Sequence, residues 1–296
     1  MRRWRAIVFA TALELWSEPL VLLVTLSAVL VEALAAAMHY HQFGESARMA
    51  RDAGFSALIV GGIVIGAFAA IRSLRRELES GTAMAVLAHP VPRPVFFLAK
   101  VTGAALVTAA SELTVAAVAL TVVKGAVIGG EAAAHSGDIA RMWGPSLALA
   151  VGAALLPLVL GALLNRFANF RFTVTANLLA VAFALLTVAY RFDPALLAGL
   201  APAYFLVTLP VFFILTASAA AAAGLKANFA TGVTVVALLL TVVWAGNYCL
   251  SDVLSTGLSC SWGYCAAGVV AIVPLLAAAL LAGVIVFAHT ELKAGE

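Results

Sequence analysis

Charged residues are scarce in this sequence. Only 10% of its 296 residues are charged, whereas 64% are apolar. A soluble globular domain carries about 25% charged residues, and a fold of this length cannot hide so much apolar surface from water. The composition therefore excludes an ordinary soluble domain and predicts a protein that is solvated largely by lipid.

The alternation of apolar and polar residues that marks the strands of a membrane β-barrel is also missing. The apolar runs are instead continuous and rich in Ala and Leu. Within lipid, the backbone must satisfy its own hydrogen bonds, which leaves helices or closed barrels. The sequence thus predicts an all-α fold, a polytopic bundle of transmembrane helices.

Motifs for catalysis or phosphate binding are lacking as well. No Gly-x-x-x-x-Gly-Lys-Ser/Thr sequence is present, so this chain is not expected to hydrolyse nucleotides. No Ser–His or Cys–His arrangement predicts a catalytic residue, and no cofactor site is predicted. His39 and His41 flank Tyr40, but without a third ligand at a known spacing they do not predict a metal site.

Eight membrane segments are predicted when each crossing requires about 20 apolar residues. They are 19–38, 54–72, 95–123, 144–164, 173–190, 203–224, 229–248 and 266–289. The third is long enough to tilt or to run past the bilayer. Only Leu225 to Asn228 separate the sixth and seventh segments. These two are either full spans or one broken or re-entrant element, and the second alternative leaves six full spans.

The distribution of basic residues predicts the orientation of these segments. If the N-terminus is cytoplasmic, then of the 17 Lys and Arg residues only Arg48, Arg51, Lys124, Arg141 and Arg191 lie outside. Cytoplasmic connections are generally the more basic ones. We therefore expect both termini in the cytoplasm. The Ala-, Gly- and Arg-rich composition suggests a bacterium, which predicts a multi-pass location in a bacterial cytoplasmic (inner) membrane.

All three cysteines, Cys249, Cys260 and Cys265, lie in or beside the predicted outer connection before the last span. An oxidising compartment permits a disulfide there. Cys260 with Cys265, or Cys249 with either of them, are the open pairings. Free thiols at the rim of the membrane are the alternative.

Residues 1–18 differ from the spans that follow. Basic residues at the start and Glu14 and Glu18 at the end are interspersed with Trp4 and Trp16. This mixture is typical of an amphipathic helix that lies at the membrane interface, although a plain extension of the first span is the alternative. Residues 19–296 are then predicted to form a single transmembrane domain.

The longest polar stretch on the predicted inner side is the connection 72–94. Gly81 ends a charged run, Thr82 can cap a new helix, and Pro90 ends that helix after about two turns. Arg93 and Lys100 flank the start of the third span. A short helix braced by charges would fit a cleft in a soluble partner, whereas the plainer alternative is a basic loop that serves only topology.

The pattern in this connection resembles a known family. Glu77-x-Glu79-x-Gly81-Thr82, followed by Leu87, Pro90-Val91, Arg93, Phe96 and Lys100, is similar to the signature of ABC-2-type permeases. The resemblance extends to the interfacial "elbow" helix at the N-terminus and to the position of the connection after the second span. The usual member has six spans, so the second half of this chain departs from the pattern.

This resemblance implies a permease subunit of an ABC transporter, more typically an exporter. The implied partners are cytosolic ABC ATPase subunits, which would hold ATP and Mg, and a second permease copy or paralogue in the lipid bilayer; no nucleic acid is implied. The ATPase-coupling loop would comprise Glu77, Glu79, Gly81, Thr82, Leu87, Pro90, Arg93 and Lys100. In this interpretation the loop carries the motion of the ATPases to the spans.

Glu112 lies in the middle of the third predicted span. A central acid costs about 2.5–3.5 kcal/mol on insertion scales and usually faces a partner or a cavity. Glu112 is thus either a polar contact in the pathway or dimer interface, or a carboxyl that is protonated or hydrogen-bonded to Ser111 or a neighbouring helix. A secondary transporter or channel, which would require more such charges, and a non-transporting membrane anchor are the rival functions.

Overall fold

A computed structural model describes residues 2–37, 46–79, 91–133, 139–224 and 261–289. These residues form eight helices: α1 (Arg2–Trp16), α2 (Pro19–Ala37), α3 (Ser46–Glu79), α4 (Arg93–Ala133), α5 (Ile139–Ala168), α6 (Phe172–Tyr190), α7 (Pro194–Gly224) and α8 (Trp262–His289). Among them, six are long and apolar enough to cross a membrane, and the bent pair α1–α2 adds a seventh candidate. The predicted polytopic all-α bundle is confirmed.

Several helices run beyond the apolar segments predicted from sequence. α4 has 41 residues, and at about 1.5 Å per residue it exceeds a hydrocarbon core of about 30 Å. α7 begins at Pro194 instead of 203, because the Asp193 carboxylate accepts hydrogen bonds from the N–H groups of Ala195 and Leu196. Such a cap followed by Pro favours helix initiation, and an apolar-run criterion does not detect it.

α1 and α2 meet at an angle of 65°. Pro19 has no N–H to continue the helical hydrogen bonding, which accounts for the break. α1 packs closely on α4, since a Cβ added to Gly103 would lie 2.7 Å from Thr11 Cβ. At its end α1 is also held by α6, where Thr173 Oγ1 donates to Ser17 O and Asn177 Nδ2 donates to Trp16 O. α1 is thus a bent-back element seated on the bundle.

α3 lies at the centre and packs against α2, α4 and α7. Its contact with α7 depends on small residues, because a Cβ added to Gly66 would lie 3.4 Å from Leu215 Cβ. Close approach through small residues is the usual means of packing helices within a membrane. The buried residues of the described ranges form a large cluster around α2–α5 and α7 and a second one where α1, α3, α4, α7 and α8 meet. A small third cluster lies between α2 and α6.

α7 and α8 run side by side in the same direction. Cys265 Sγ donates to Pro202 O near the start of both helices, and near their ends Gly283 lies against Ala220. The end of α7 and the start of α8 therefore lie at opposite ends of the bundle. The predicted span 229–248 would cover that separation, although this segment lies outside the described residues.

Candidate functional site

The two ends of the predicted coupling loop meet at one end of the bundle. α3 ends at Glu79 and α4 begins at Arg93. Four of the eight predicted site residues, Glu77, Glu79, Arg93 and Lys100, belong to these helix ends. The other four, Gly81, Thr82, Leu87 and Pro90, fall within 80–90, outside the described residues, so the predicted short helix there stays a prediction.

Glu77 and Lys100 form an ion pair that joins α3 to α4. Lys100 Nζ lies 2.5 Å from Glu77 Oε1, and the side chains are 3% and 20% exposed. Lys100 Nζ also lies 5.8 Å from the centre of the Phe96 ring, within reach of a cation–π contact. A buried lysine is costly unless it is paired, so this pair fixes the last turn of α3 beside the first turns of α4.

Arg93 connects the other end of the loop to the last helix. Its guanidinium donates to the Ala288 carbonyl at 3.0 Å, one of the carbonyls that the end of a helix leaves without an intrahelical partner. One turn further along α4, Phe96 and Phe97 lie 5.7 and 5.9 Å from Phe287, measured between ring centres. The exit of the connection is therefore fastened to α8.

Glu79 is placed differently from its neighbours. Its carboxylate is 70% exposed and lies 3.8 Å from Arg75, one turn earlier on α3. An exposed pair of this kind contributes little to stability. Of the two acids among the four described site residues, Glu79 is thus the one whose carboxylate remains open to a partner.

Two acids at the end of the elbow, Glu14 and Glu18, make three ion pairs that sequence reasoning did not find. Arg76 lies 3.0 Å from Glu14 and 3.6 Å from Glu18, and Arg72 lies 3.2 Å from Glu18. The sequence interpretation placed these acids only in an amphipathic mixture. The sequence did contain a signal for these pairs. Acidic residues lie at the end of the elbow and basic residues near the end of α3, and both ends were predicted on the same side of the membrane.

These contacts join the helix ends at the connection to several other parts of the bundle. The end of α3 is fastened to α1 through Arg76, to the bend after α1 through Arg72, and to α4 through Lys100. The start of α4 is fastened to α8 through Arg93. Within the described ranges, no three His, Cys, Asp or Glu side chains lie close enough together to hold a metal ion.

Glu112 lies away from this site, deep between α3, α4 and α7. It is 5% exposed, and a Cβ added to Gly62 of α3 would overlap its carboxylate. Glu112 Oε2 makes no hydrogen bond within the described part of the chain. The structure thus places Glu112 in an interhelical seam and does not show the hydrogen bond considered from sequence.

A second buried polar group, not predicted from sequence, lies where α2, α3 and α7 meet. Glu32 is fully buried, and both of its carboxylate oxygens lack a hydrogen bond among the described residues. Arg51, 1% exposed, pairs with Asp52 at 2.9 Å and lies over the Phe55 ring. The Phe55 ring in turn contacts Tyr204 edge-on. Arg51 is therefore enclosed by helices, and its expected location on the outer side stays a prediction.

Two predictions from sequence fall partly or wholly outside the described residues. Cys265 is buried beside Pro202, but Cys249 and Cys260 are not among the described residues, so the disulfide stays a prediction. His39 and His41 are likewise outside them.

The fold and the site define a multi-pass helical membrane protein whose polar inter-helix connection is anchored at its base. Over residues 15–184 the sequence matches the family described as ABC-2 family transporter protein, which is more than half of the chain. The chain belongs to this family, as its connection motif indicated. No curated protein and no solved structure matches it.

Family membership makes this chain a membrane permease of the ABC transporter class, and it implies association with ABC ATPase subunits in general. The matched region includes the end of the elbow, the connection between α3 and α4, and most of α6. α7 and α8 lie beyond it. The contacts of Arg93 and Phe287 with each other's helices therefore link the family region to the unmatched part of the chain.

Proposed function

We propose that this chain is the permease subunit of an ATP-driven exporter in a bacterial cytoplasmic membrane. ATP and Mg are bound by separate cytosolic ATPase subunits, and a second permease copy or paralogue completes the transport pathway. In this proposal the connection between α3 and α4 faces the cytoplasm, as do both termini, and residues 80–92 dock on the ATPase.

The observation that carries the proposal is the Glu77–Lys100 pair. It closes the base of the connection by joining α3 to α4 just before and just after the loop. A loop tied at its base cannot be displaced without moving the helix ends that hold it. The contacts with the elbow and with α8 extend this movement to two further helices.

In the proposed cycle, ATP binding draws the ATPases together and displaces the docked loop. Glu79, whose carboxylate is exposed, is positioned to contact the ATPase. Glu77, Lys100 and Arg93 brace the loop against the bundle. Substitution of Glu79 or Gly81 should then uncouple ATP hydrolysis from transport while the permease remains folded.

The experiment is affinity purification of the tagged full chain in mild detergent, followed by mass spectrometry and an ATPase assay. We expect a stoichiometric ATPase that carries the nucleotide-binding motif this chain lacks. Glu77→Gln combined with Lys100→Met should reduce the ATPase stimulation by the permease. Neutralising both partners avoids leaving one buried charge alone, which would cost about 3–5 kcal/mol.

The matched control is an ion pair at the other end of the bundle. Lys124 Nζ lies 3.6 Å from Asp193, so Lys124→Met with Asp193→Asn also removes one interhelical pair. This variant should leave ATPase stimulation unchanged. Equal effects of the two double variants, or a chain that purifies without any ATPase from membranes crosslinked beforehand, would contradict the proposal.

A further inference from the structure

The turn between α5 and α6 exposes two aromatic rings. All residues from Ala162 to Arg171 are exposed, and the side chains of Phe167 and Phe170 are 82% and 56% exposed. Exposed apolar groups in such a cluster mark a surface for a partner or for lipid.

This turn has a defined conformation. Asn169 has φ 54°, the left-handed region that Asn tolerates better than most residues. Asn165 Nδ2 donates to the Phe170 carbonyl at 2.6 Å and closes the turn. Phe167 and Phe170 are therefore held in place on a short helical hairpin.

Two arginines accompany the rings. Arg166 and Arg171 are exposed, and neither guanidinium has a hydrogen bond or an ion pair in the ranges that the structure describes. The sequence has no Asp or Glu anywhere from 139 to 192. The hairpin is thus positively charged and has no acidic neighbour along the chain to neutralise it.

The position of the hairpin points to the edge of the lipid layer. The first turns of α6 are bonded to Trp16 and Ser17 at the bend between α1 and α2, where the sequence predicts the membrane interface. Leu163 and Leu164, about one helical turn before Phe167, are also exposed. The rings therefore continue an apolar, lipid-facing surface to the level at which headgroups begin.

We propose that this hairpin binds anionic phospholipid headgroups. Arg166 and Arg171 donate to phosphate oxygens, for which the guanidinium fork is well suited, and the two rings lie at the boundary between headgroups and acyl chains. An acidic protein surface would also match the arginines. It would leave unexplained the continuity of the rings with lipid-facing leucines, which favours lipid.

The test is native mass spectrometry of the purified full chain, titrated with phosphatidylglycerol and with phosphatidylcholine of the same acyl chains. Wild type should prefer phosphatidylglycerol. Because each basic side chain near an anionic surface contributes about 1 kcal/mol, Arg166→Gln with Arg171→Gln should reduce this preference between about tenfold and thirtyfold. Replacement of both by Lys should retain most of the preference.

Arg48→Gln, which removes an exposed arginine at the opposite end of the bundle, is the matched control and should leave the preference unchanged. Phe167→Ser with Phe170→Ser should weaken the binding of both lipids alike. Two results would overturn the proposal. One is an unchanged preference in the double Gln variant, and the other is unchanged lipid binding together with loss of a co-purifying protein.

Discussion

Single residues set how closely α3 approaches its neighbours. Gly62 lies opposite Glu112, and a Cβ added to it would overlap the carboxylate and lie 2.9 Å from Val211 Cγ2. Hydropathy identified Glu112 as a central acid. Hydropathy could not show that this acid faces a glycine on another helix, because that contact depends on how each helix is rotated about its own axis.

We expect Gly62→Ala to lower the free energy of unfolding by about 1–3 kcal/mol, the usual cost of overpacking a core. Glu112→Ala in the same chain should recover part of the loss, because it removes the carboxylate that the new methyl group meets. Thermal unfolding in detergent measures both changes.

Gly152→Ala provides the control, since its new Cβ would meet only Leu156 Cδ1 at 3.6 Å. It should leave the unfolding midpoint nearly unchanged. Equal stability of the Gly62→Ala and Gly152→Ala variants would show that the seam is not packed as described.

Asp193 gives a pH-dependent prediction. The Leu196 N–H, with the Lys124 charge and the Ala195 N–H, lowers the pKa of Asp193 below its ordinary value of 3.8. The ionised form therefore favours the folded state. Its contribution is complete above the ordinary pKa and is lost as the pH falls through the lowered folded pKa.

Asp193→Asn keeps a capping side chain but removes the charge. The stability difference between wild type and this variant should stay constant from about pH 7 to about pH 5 and shrink below about pH 4. Unfolding midpoints across this range measure it. A difference that grows on acidification would contradict the assignment.

At the scale of elements, the sequence predicted the helices well and their ends poorly. The described spans could be located from continuous apolar runs, because a helix that crosses lipid needs such a run. The early start of α7 at Pro194 depends on a cap, and the enclosure of Arg51 depends on neighbouring helices. Neither feature affects the local apolar content from which the segments were predicted.

The packing of the elbow helix against α3 could not be predicted from the sequence either. It can be tested by exchanging the charges of its ion pairs. Arg76→Glu places an acid beside Glu14 and Glu18 and should lower stability by up to about 1 kcal/mol, since Arg76 is 52% exposed. Glu14→Arg in the same chain should recover most of the loss. Unfolding midpoints at low salt should show both effects, and high salt should diminish them.

Arg5→Glu, on the elbow helix itself, is the control for a change in net charge, since Arg5 has no ion pair among the described residues. An effect of Arg5→Glu as large as that of Arg76→Glu would indicate a general charge effect instead of a specific interaction between Arg76 and the acids of the elbow.

At the scale of the whole molecule, the anchored connection joins the part of the chain that matches the family to the part that does not. The motif from Glu77 to Lys100 predicted the family, whereas the coupling role of its residues stays a prediction. It did not predict that Arg93 would cap α8, because α8 lies far away in sequence. The same-direction packing of α7 and α8 places the end of α7 and the start of α8 at opposite ends of the bundle, and the predicted span 229–248 stays a prediction.

The central claim is that residues 80–92 contact a cytosolic ATPase in the intact membrane. The most direct measurement is photo-crosslinking in cells, with a benzoyl-phenylalanine at Leu87 and, for comparison, at Phe167 and at Val127 near the other end of the bundle. The account predicts a covalent adduct with an ATP-binding protein from position 87, lipid adducts from 167, and no ATPase adduct from 127. Absence of an ATPase adduct at 87, with efficient labelling elsewhere, would contradict it.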